Sequence, residues 1–497
     1  MSSPPDAHLA PADRPTPAWR ACTCLALALA VWGAKLSLIS RFANPTPLAD
    51  EWNAHALHLF VPYSQSTFSW LQLWTPHNEH HTLPGRLVAL GLFIANDGWD
   101  PILEMIVNAV IHAALGVAIL LVLGRDLSRR GFATLACMTA ALLAVPNAIE
   151  NPIWGMETHF YALLLFGLLA VDLLCRDGGS LVRFGGGIAA GAVSFLSLAS
   201  GALVFLVGAA VAALKRALRV DSGWRTWAAP AALLACFALA VWLTPVVEKH
   251  KVFRAQTVEQ FIFAFATLAA WPFRAHITAA ALFVNAPLVI LAWRCLREPP
   301  ARDRLAWALL GLGLWNGLQF AALAFGRAAA IQSPRYLDIC AFNLIVNFVA
   351  AAILADRARR RLMVAAWIAA VGVGWGMESA LRMPEQLMTF HDRALVQESN
   401  VRSFLATGAF LPGASGTDYS VPYPNADRLA AILSDPLVRK ILPTAFQDGA
   451  TGTPLRDGLL RAGPWLGIAG ALMLLLLVSW PALATIRTLV RKLSARV

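Results

Sequence analysis

Apolar runs of near-membrane length recur from one end of this chain to the other, and they restrict its fold more than any motif it carries. A helix needs about 20 apolar residues to cross roughly 30 Å of hydrocarbon, where no water can take up unpaired backbone groups. About twelve runs approach that length: 20–40, 102–124, 131–149, 159–175, 185–199, 201–214, 226–244, 274–294, 305–325, 337–355, 362–380 and 463–486. The fifth and sixth also read as one bent hairpin, and Val258 to Phe273 as a re-entrant or interfacial helix. With 58% apolar and only 14% charged residues, the chain has the composition of a protein whose solvent is the bilayer. The expected fold is all-α and polytopic.

A net charge of +11 would suggest nucleic acid or an anionic surface as partner for a soluble chain. Here the basic residues fall in short clusters between the runs: Arg125/Arg129/Arg130, Arg176/Arg183, Lys215/Arg216/Arg219, Arg294/Arg297/Arg302/Arg304, Arg357 to Arg361 and Arg487/Arg491/Lys492. Twelve crossings put all of them, with both termini, on one side. The positive-inside rule names that side cytoplasmic, so no nucleic-acid partner is needed to explain the charge. The seven cysteines lie in or at the ends of apolar stretches, which argues against a disulfide framework or a cysteine-held zinc.

The organisation expected from this threading is a short disordered cytoplasmic tail at 1–19, a transmembrane domain at 20–380, an outer segment at 381–462 and a last helix with its tail at 463–497. The first run reads as an anchor and not as a removed leader. The transmembrane domain includes a long first outer loop, 41–101. The outer segment mixes a helical pattern, Glu385 to Phe404, with Gly/Pro-rich turns.

The first outer loop opens with Asp50-Glu51-Trp52, two adjacent carboxylates where the chain leaves the membrane. Low-dielectric surroundings and a second negative charge raise a carboxyl's pKa, which suits a general base or a metal ligand. An acidic helix start with Asp50 as N-cap also accounts for the pair taken alone. Five of the chain's eleven histidines then fall between His55 and His81. In one reading His77, Glu79, His80 and His81 supply ligands to a divalent metal, with Glu79 and His80 as a proton-transfer pair. In the other, the histidines and Arg86 bind a phosphate at the membrane surface. The HEXXH pattern of zinc proteases is absent. Leu83 to Ala95 is apolar but too short to span, as expected of an interfacial helix holding the loop at head-group depth.

Two further outer loops carry oddly placed groups. Gly326-Arg327 and Ser333-Pro334-Arg335-Tyr336-Leu337-Asp338 put arginines outside, against the orientation rule. A lipid-carrier phosphate would satisfy them bidentately, and an Arg335–Asp338 pair or snorkelling is the structural alternative. Glu150 to His159 packs Trp154, Asn151 and the carboxylates Glu150 and Glu157 into one short turn, a mixture that sugar sites use and that an interfacial Pro-Trp turn also explains. The polar residues within the runs, Glu104, Asn108, His112, Asn316, Gln319, Asn343 and Asn347, are expected to face the bundle interior.

A first helix starting inside, a long outer loop opening on an acidic pair, interfacial helices and many later spans together resemble the GT-C superfamily of membrane glycosyltransferases. The likeness covers about the first 380 residues. It is nearest to uncharacterised bacterial multi-span members with a similar acidic pair, a His-Asn-Glu-His run and a Ser-Pro-Arg-Tyr-like element. The chain departs from better-known members in its histidine-rich loop and in placing an outer segment before the last span. The resemblance implies a polyprenyl-phosphate-sugar donor, an acidic first-loop residue that activates the acceptor or coordinates a metal, and a site facing the periplasm of a bacterial inner membrane. The expected site comprises Asp50 as base with Glu51, Glu79 and His80; Arg86, Arg327, Arg335 and Tyr336 on the lipid phosphate; and Trp52, His77, His81, Trp154 and Glu157 on sugar or acceptor. A divalent metal is left open as a cofactor. The competing functions are a flippase or transporter of a lipid-linked oligosaccharide, which requires charges at mid-membrane, and an O-antigen polymerase or ligase with a large late outer loop.

Overall fold

The computed structural model describes residues 15–176, 180–223, 225–301, 304–355, 358–447 and 453–494, and no strand occurs among them. Of the sequence expectations, the tail up to residue 14, Arg302 and Arg357 lie outside the described residues, as do the side chains of Arg487, Arg491 and Lys492.

Among the described residues, ten helices are long and apolar enough to cross a membrane. Helix α1 is Pro17–Phe42, and a short apolar helix, α2, covers Leu83–Ala95. There follow α3 (Pro101–Leu123), α4 (Arg129–Ala144), α5 (Thr158–Cys175), α6 (Leu181–Ser197), α7 (Leu203–Ala217) and α8 (Arg225–Leu243). The second half holds α9 (Val258–Ala270), α10 (Ile277–Arg297), α11 (Leu305–Gly326), α12 (Leu337–Leu354), α13 (Ala358–Thr407), α14 (Ala426–Ser434), α15 (Pro436–Ile441) and α16 (Pro454–Ser494).

Two of the twelve expected crossings fall short of that length. Helix α4 has 16 residues because it stops at Ala144, two positions before Pro146, which can neither donate its backbone N–H nor tolerate the helical turn before it. Helix α6 has 17 residues and folds back through a single 3-10 turn, Ala199–Ala202, into α7, which is the bent hairpin. A Cβ on Gly201 in that turn would fall 2.1 Å from the Ser194 carbonyl oxygen. Only glycine fits so tight a corner. Val258–Ala270 forms the expected short helix of 13 residues. The runs 362–380 and 385–404, expected as a span and a separate outer helix, join into one 50-residue helix that passes straight through Pro384. At 1.5 Å per residue it is about 75 Å long, far more than a bilayer needs.

Contacts sort the helix ends into two faces of the bundle. At one end Arg20 donates to the Arg125 carbonyl at 2.9 Å, Arg129 lies 5.0 Å over the Trp19 ring, Arg176 meets Asp126 at 3.4 Å, and Lys215 donates to the Cys175 carbonyl at 2.6 Å. Residues of the first three basic clusters gather there. At the other end Asn44 donates to Glu398 and Arg456 to Asp100, each at 2.7 Å, so the first outer loop and the late segment meet. They share an apolar core that includes Trp52, Phe60, Phe93, Trp99, Leu429 and Leu433.

Helices α1 and α16 pack with their backbones almost touching. A Cβ on Gly33 would lie 2.1 Å from the Gly467 nitrogen, and one on Gly470 2.3 Å from the Ala30 nitrogen. Small residues permit this approach, which in lipid brings van der Waals contact that solvent-driven burial cannot supply. Gly33→Leu is therefore expected to destabilise by more than the roughly 1–3 kcal/mol of ordinary overpacking. Gly91→Leu, with nothing within 4 Å of its added Cβ, is the matched control. Thermal unfolding in detergent checks this: a clear fall for the first and little change for the second.

Candidate functional site

At the end of the bundle away from the basic clusters lies a cavity of about 910 Å³. The end of α1 and residues Leu48 and Ala49 form one wall, α13 and the turn 416–424 a second, and the loop 328–335 a third. Its polar lining includes Glu150, Trp154, Arg335 and Tyr419, and its apolar lining includes Phe263 and Ile331.

Asp50 follows directly on the lining residues. The chain turns sharply at Ala49, which has φ 42° and donates its N–H to the Pro422 carbonyl at 2.8 Å. The Asp50 carbonyl accepts from Asn53 and Ala54, starting a π-helix over Trp52–Phe60. The side chain takes no part in capping that helix. Its carboxylate, 44% exposed, lies 3.2 Å from His77 Nε2 instead. Partial burial pushes the Asp50 pKa up, but the His77 hydrogen bond and the charges of His77, Lys249 and Arg335 outweigh it, so the group sits below the usual carboxylate range. Asp50 is thus ionised and able to accept a proton, with somewhat weakened basicity.

Glu51, expected to assist it, points inward. It is 1% exposed, and its Oε2 accepts the Leu48 N–H at 2.6 Å. Burial pushes its pKa up to about 8; the Leu48 and Met156 N–H groups pull it down, and the charges of Glu157 and Asp50 raise it further. It is therefore mainly protonated at neutral pH, which is the wrong state for a base.

The histidine-rich turn brings its side chains apart. His77 and His80 pair through their backbones at 2.6 and 3.0 Å, with Asn78 at φ 54° between them, and that tight turn aims successive side chains in different directions. His77 goes to Asp50. Glu79 goes to His250 at 2.6 Å and Arg327 at 3.4 Å. His80 Nδ1 accepts the Ala199 N–H at 3.2 Å, while its burial lowers its pKa to about 4. His81 Nδ1 lies 3.2 Å from the Trp74 carbonyl, against the edge of Phe195. These four cannot share one metal ion. A different set, Glu51, His55 and Glu104, does converge.

The expected phosphate ligands also separate. Arg86 is buried inside the first loop with its Nη1 on the Gln72 carbonyl at 2.5 Å, and desolvation lowers its pKa to about 10. Arg327 is held by Glu79 and lies 5.7 Å over Phe253. Arg335 lines the cavity, clasped by Glu150 through Nε at 2.7 Å and Nη2 at 2.6 Å, and stacked 5.1 Å from the Trp154 ring. Its expected partner Asp338 instead accepts from Asn151 at 2.8 Å. Tyr336 is buried beside Phe160.

Among the residues expected on sugar, Trp154 lines the cavity. Trp52 is fully buried against Trp99, and Glu157 is buried with its nearest charge partner, His159, at 3.6 Å. Neither presents a surface to a ligand. Sequence reading missed three contributors: Glu150 as the clamp on Arg335, Lys249 as a charge acting on Asp50, and Tyr423, which lines the cavity and accepts from Asn53. Lys249 was detectable, because Glu248-Lys249-His250-Lys251 places cations on the same outer side as Arg327.

No protein-family model and no curated protein matches the chain. A solved structure of the archaeal oligosaccharyltransferase AglB from Archaeoglobus fulgidus, in complex with an inhibitory peptide and a dolichol-phosphate, is similar at a TM-score of 0.43 and 12% identity. The likeness covers 90% of this chain and 64% of that one, so this chain spans less than two-thirds of that protein's length. Similarity this distant carries no weight for mechanism. What the described residues establish is an all-helical chain with ten helices able to cross a membrane, and a cavity at one end of the bundle.

Proposed function

We propose that this protein is a glycosyltransferase that moves a sugar from a polyprenyl-phosphate carrier to a hydroxyl of an envelope glycan or lipid, at the membrane face opposite its basic clusters. One observation carries the reading: a guanidinium, Arg335, lines the cavity, and an ionised carboxylate, Asp50, follows directly on its lining residues Leu48 and Ala49, close enough that the Arg335 charge acts on it. Asp50 takes the proton of the acceptor hydroxyl as that oxygen attacks the anomeric carbon. The bond from that carbon to the carrier phosphate breaks, and the departing phosphate keeps the electron pair. Glu150 occupies the Nε and Nη2 edge of Arg335, so Nη1 is the edge offered to the phosphate. Trp154 gives a sugar its aromatic face, and Phe263 and Ile331 give the lipid an apolar wall. His77 holds the Asp50 carboxylate in line. Polymerase or ligase activity uses the same chemistry on a larger glycan.

A transporter reading has an observation in its favour: Lys35, His112 and Asp338 lie buried within the spans, with His112 3.9 Å from Asp338. The two functions part on substitution. Lys35→Met is expected to leave transfer within a few-fold if the chain is an enzyme, whereas a transporter relying on that charge would lose its cargo movement. Binding is tested by native mass spectrometry of the purified protein with undecaprenyl phosphate. The wild type is expected to take up one molecule and Arg335→Met to bind at least tenfold more weakly. Equal binding by both would count against the assigned phosphate site.

A further inference from the structure

Glu51, His55 and Glu104 meet inside the outer end of the bundle, each no more than 2% exposed. Glu51 and His55 stand four residues apart, at the start of and within the π-helix, so both reach the first turn of α3, where Glu104 sits. Single π-helical turns are rare and recur at functional sites. One donor atom from each of the three lies within 4.8 Å of the other two, and His55 Nδ1 is 3.5 Å from Glu104 Oε2.

The outer oxygens of both carboxyls are already engaged: Glu51 Oε2 accepts from Leu48 N–H and Glu104 Oε1 from Trp99 Nε1 at 3.2 Å. The inner donors are left over. Glu51 Oε1 and His55 Nδ1 are fully buried without a hydrogen bond of good geometry, the Met156 N–H lying near enough to Glu51 only to draw its pKa down, an arrangement that is costly unless something fills it. Space is kept for it by Gly155, where a Cβ would fall 2.8 Å from Glu51 Oε1 and 3.2 Å from Glu104 Oε2.

We infer that Glu51, His55 and Glu104 bind one divalent transition-metal ion, of the zinc or manganese kind, that fastens the first outer loop to α3. One imidazole nitrogen and two carboxylate oxygens suit those ions, whereas calcium takes six to eight oxygens and copper(I) wants sulfur. Metal–ligand bonds of about 2.1 Å place tetrahedral donors about 3.4 Å apart. The His55–Glu104 separation already meets that, and a turn of the Glu51 carboxyl, whose Oε1 is unanchored, brings in the third. The ion would be enclosed, and its role is positioning: Glu51 ends the turn Leu48–Glu51, which holds Asp50 beside the cavity-lining Leu48 and Ala49. The inference stands independently of the transfer reaction.

The test is the metal content of the full-length protein, purified in detergent without chelator, by inductively coupled plasma mass spectrometry, together with thermal unfolding. About one equivalent of zinc or manganese per chain is expected, a lower melting temperature after EDTA, and recovery on adding either metal alone. His55→Gln and Glu104→Gln should lose the ion, while Asp50→Asn, inactive in the proposed reaction, should keep it. Should those two variants fail to fold, the chelation and add-back series on the wild type decides by itself. Wild-type protein without stoichiometric metal and with a melting temperature indifferent to zinc and manganese would overturn the site, and would favour a proton shared between the two carboxyls. Metal retained by both glutamine variants would overturn it as well.

Discussion

If Asp50 is the base of the proposed sugar transfer, Asp50→Asn is expected to lower that transfer by about 10²- to 10⁴-fold, the range that a general base contributes, and to leave abundance and melting temperature close to wild type. The substitution is isosteric and keeps an oxygen facing His77, so the turn at Ala49 and the start of the π-helix have no reason to move. What it removes is the ability to hold the acceptor's proton. Comparing product formed per folded molecule in membranes from cells expressing either form measures the effect. A loss of less than threefold would show that the acceptor is deprotonated by another group.

Arg335→Met produces a double effect. Loss of the guanidinium at the departing phosphate is expected to lower transfer by about 10²- to 10³-fold, as removal of a preorganised charge-stabilising donor does. It also weakens the hold on Glu150, which is one-tenth exposed and clasped by Arg335 through a hydrogen bond from Nε and an ion-pair contact from Nη2, both to Oε2. The Glu150 carboxylate keeps only the Ser333 hydroxyl, which donates to it at 3.1 Å, and because the Arg335 side chain is one-third exposed the cost is expected to fall below the about 3–5 kcal/mol of breaking a fully buried pair. The two effects separate in the double variant Glu150→Gln/Arg335→Met. Its stability should recover most of the loss, whereas its activity should not. Thermal unfolding and transfer on the same preparations check both.

The sequence shows most of the membrane architecture and little of the site's wiring, for a physical reason. A span is a local property, written in about 20 successive side chains, and so α1, α3, α5, α8, α10, α11 and α12 fall close to their expected positions. The joined helix Ala358–Thr407 was less visible, since Pro384 reads as a break, although a lost backbone hydrogen bond within a long helix need not end it. Asp50 stands out as a candidate in the sequence because two carboxylates at a membrane exit are conspicuous. The partners do not: Arg335 meets Glu150 across 185 residues, and Glu79 meets Arg327 across 248. The histidine run misled because closeness along a tight turn fans side chains apart, while the converging set draws on Glu51, His55 and the remote Glu104.

The proposed function rests on chemistry at the cavity that Arg335 lines and Asp50 adjoins, on sugar delivered by a lipid phosphate. The most direct measurement is the mass spectrum of the cell-surface glycans of a strain lacking the gene, complemented with wild type or with Asp50→Asn at matched abundance. The deletion is expected to lose a defined sugar mass, wild type to restore it, and Asp50→Asn to leave it missing. Full restoration by Asp50→Asn, or an unchanged glycan in the deletion strain, would contradict the proposed function.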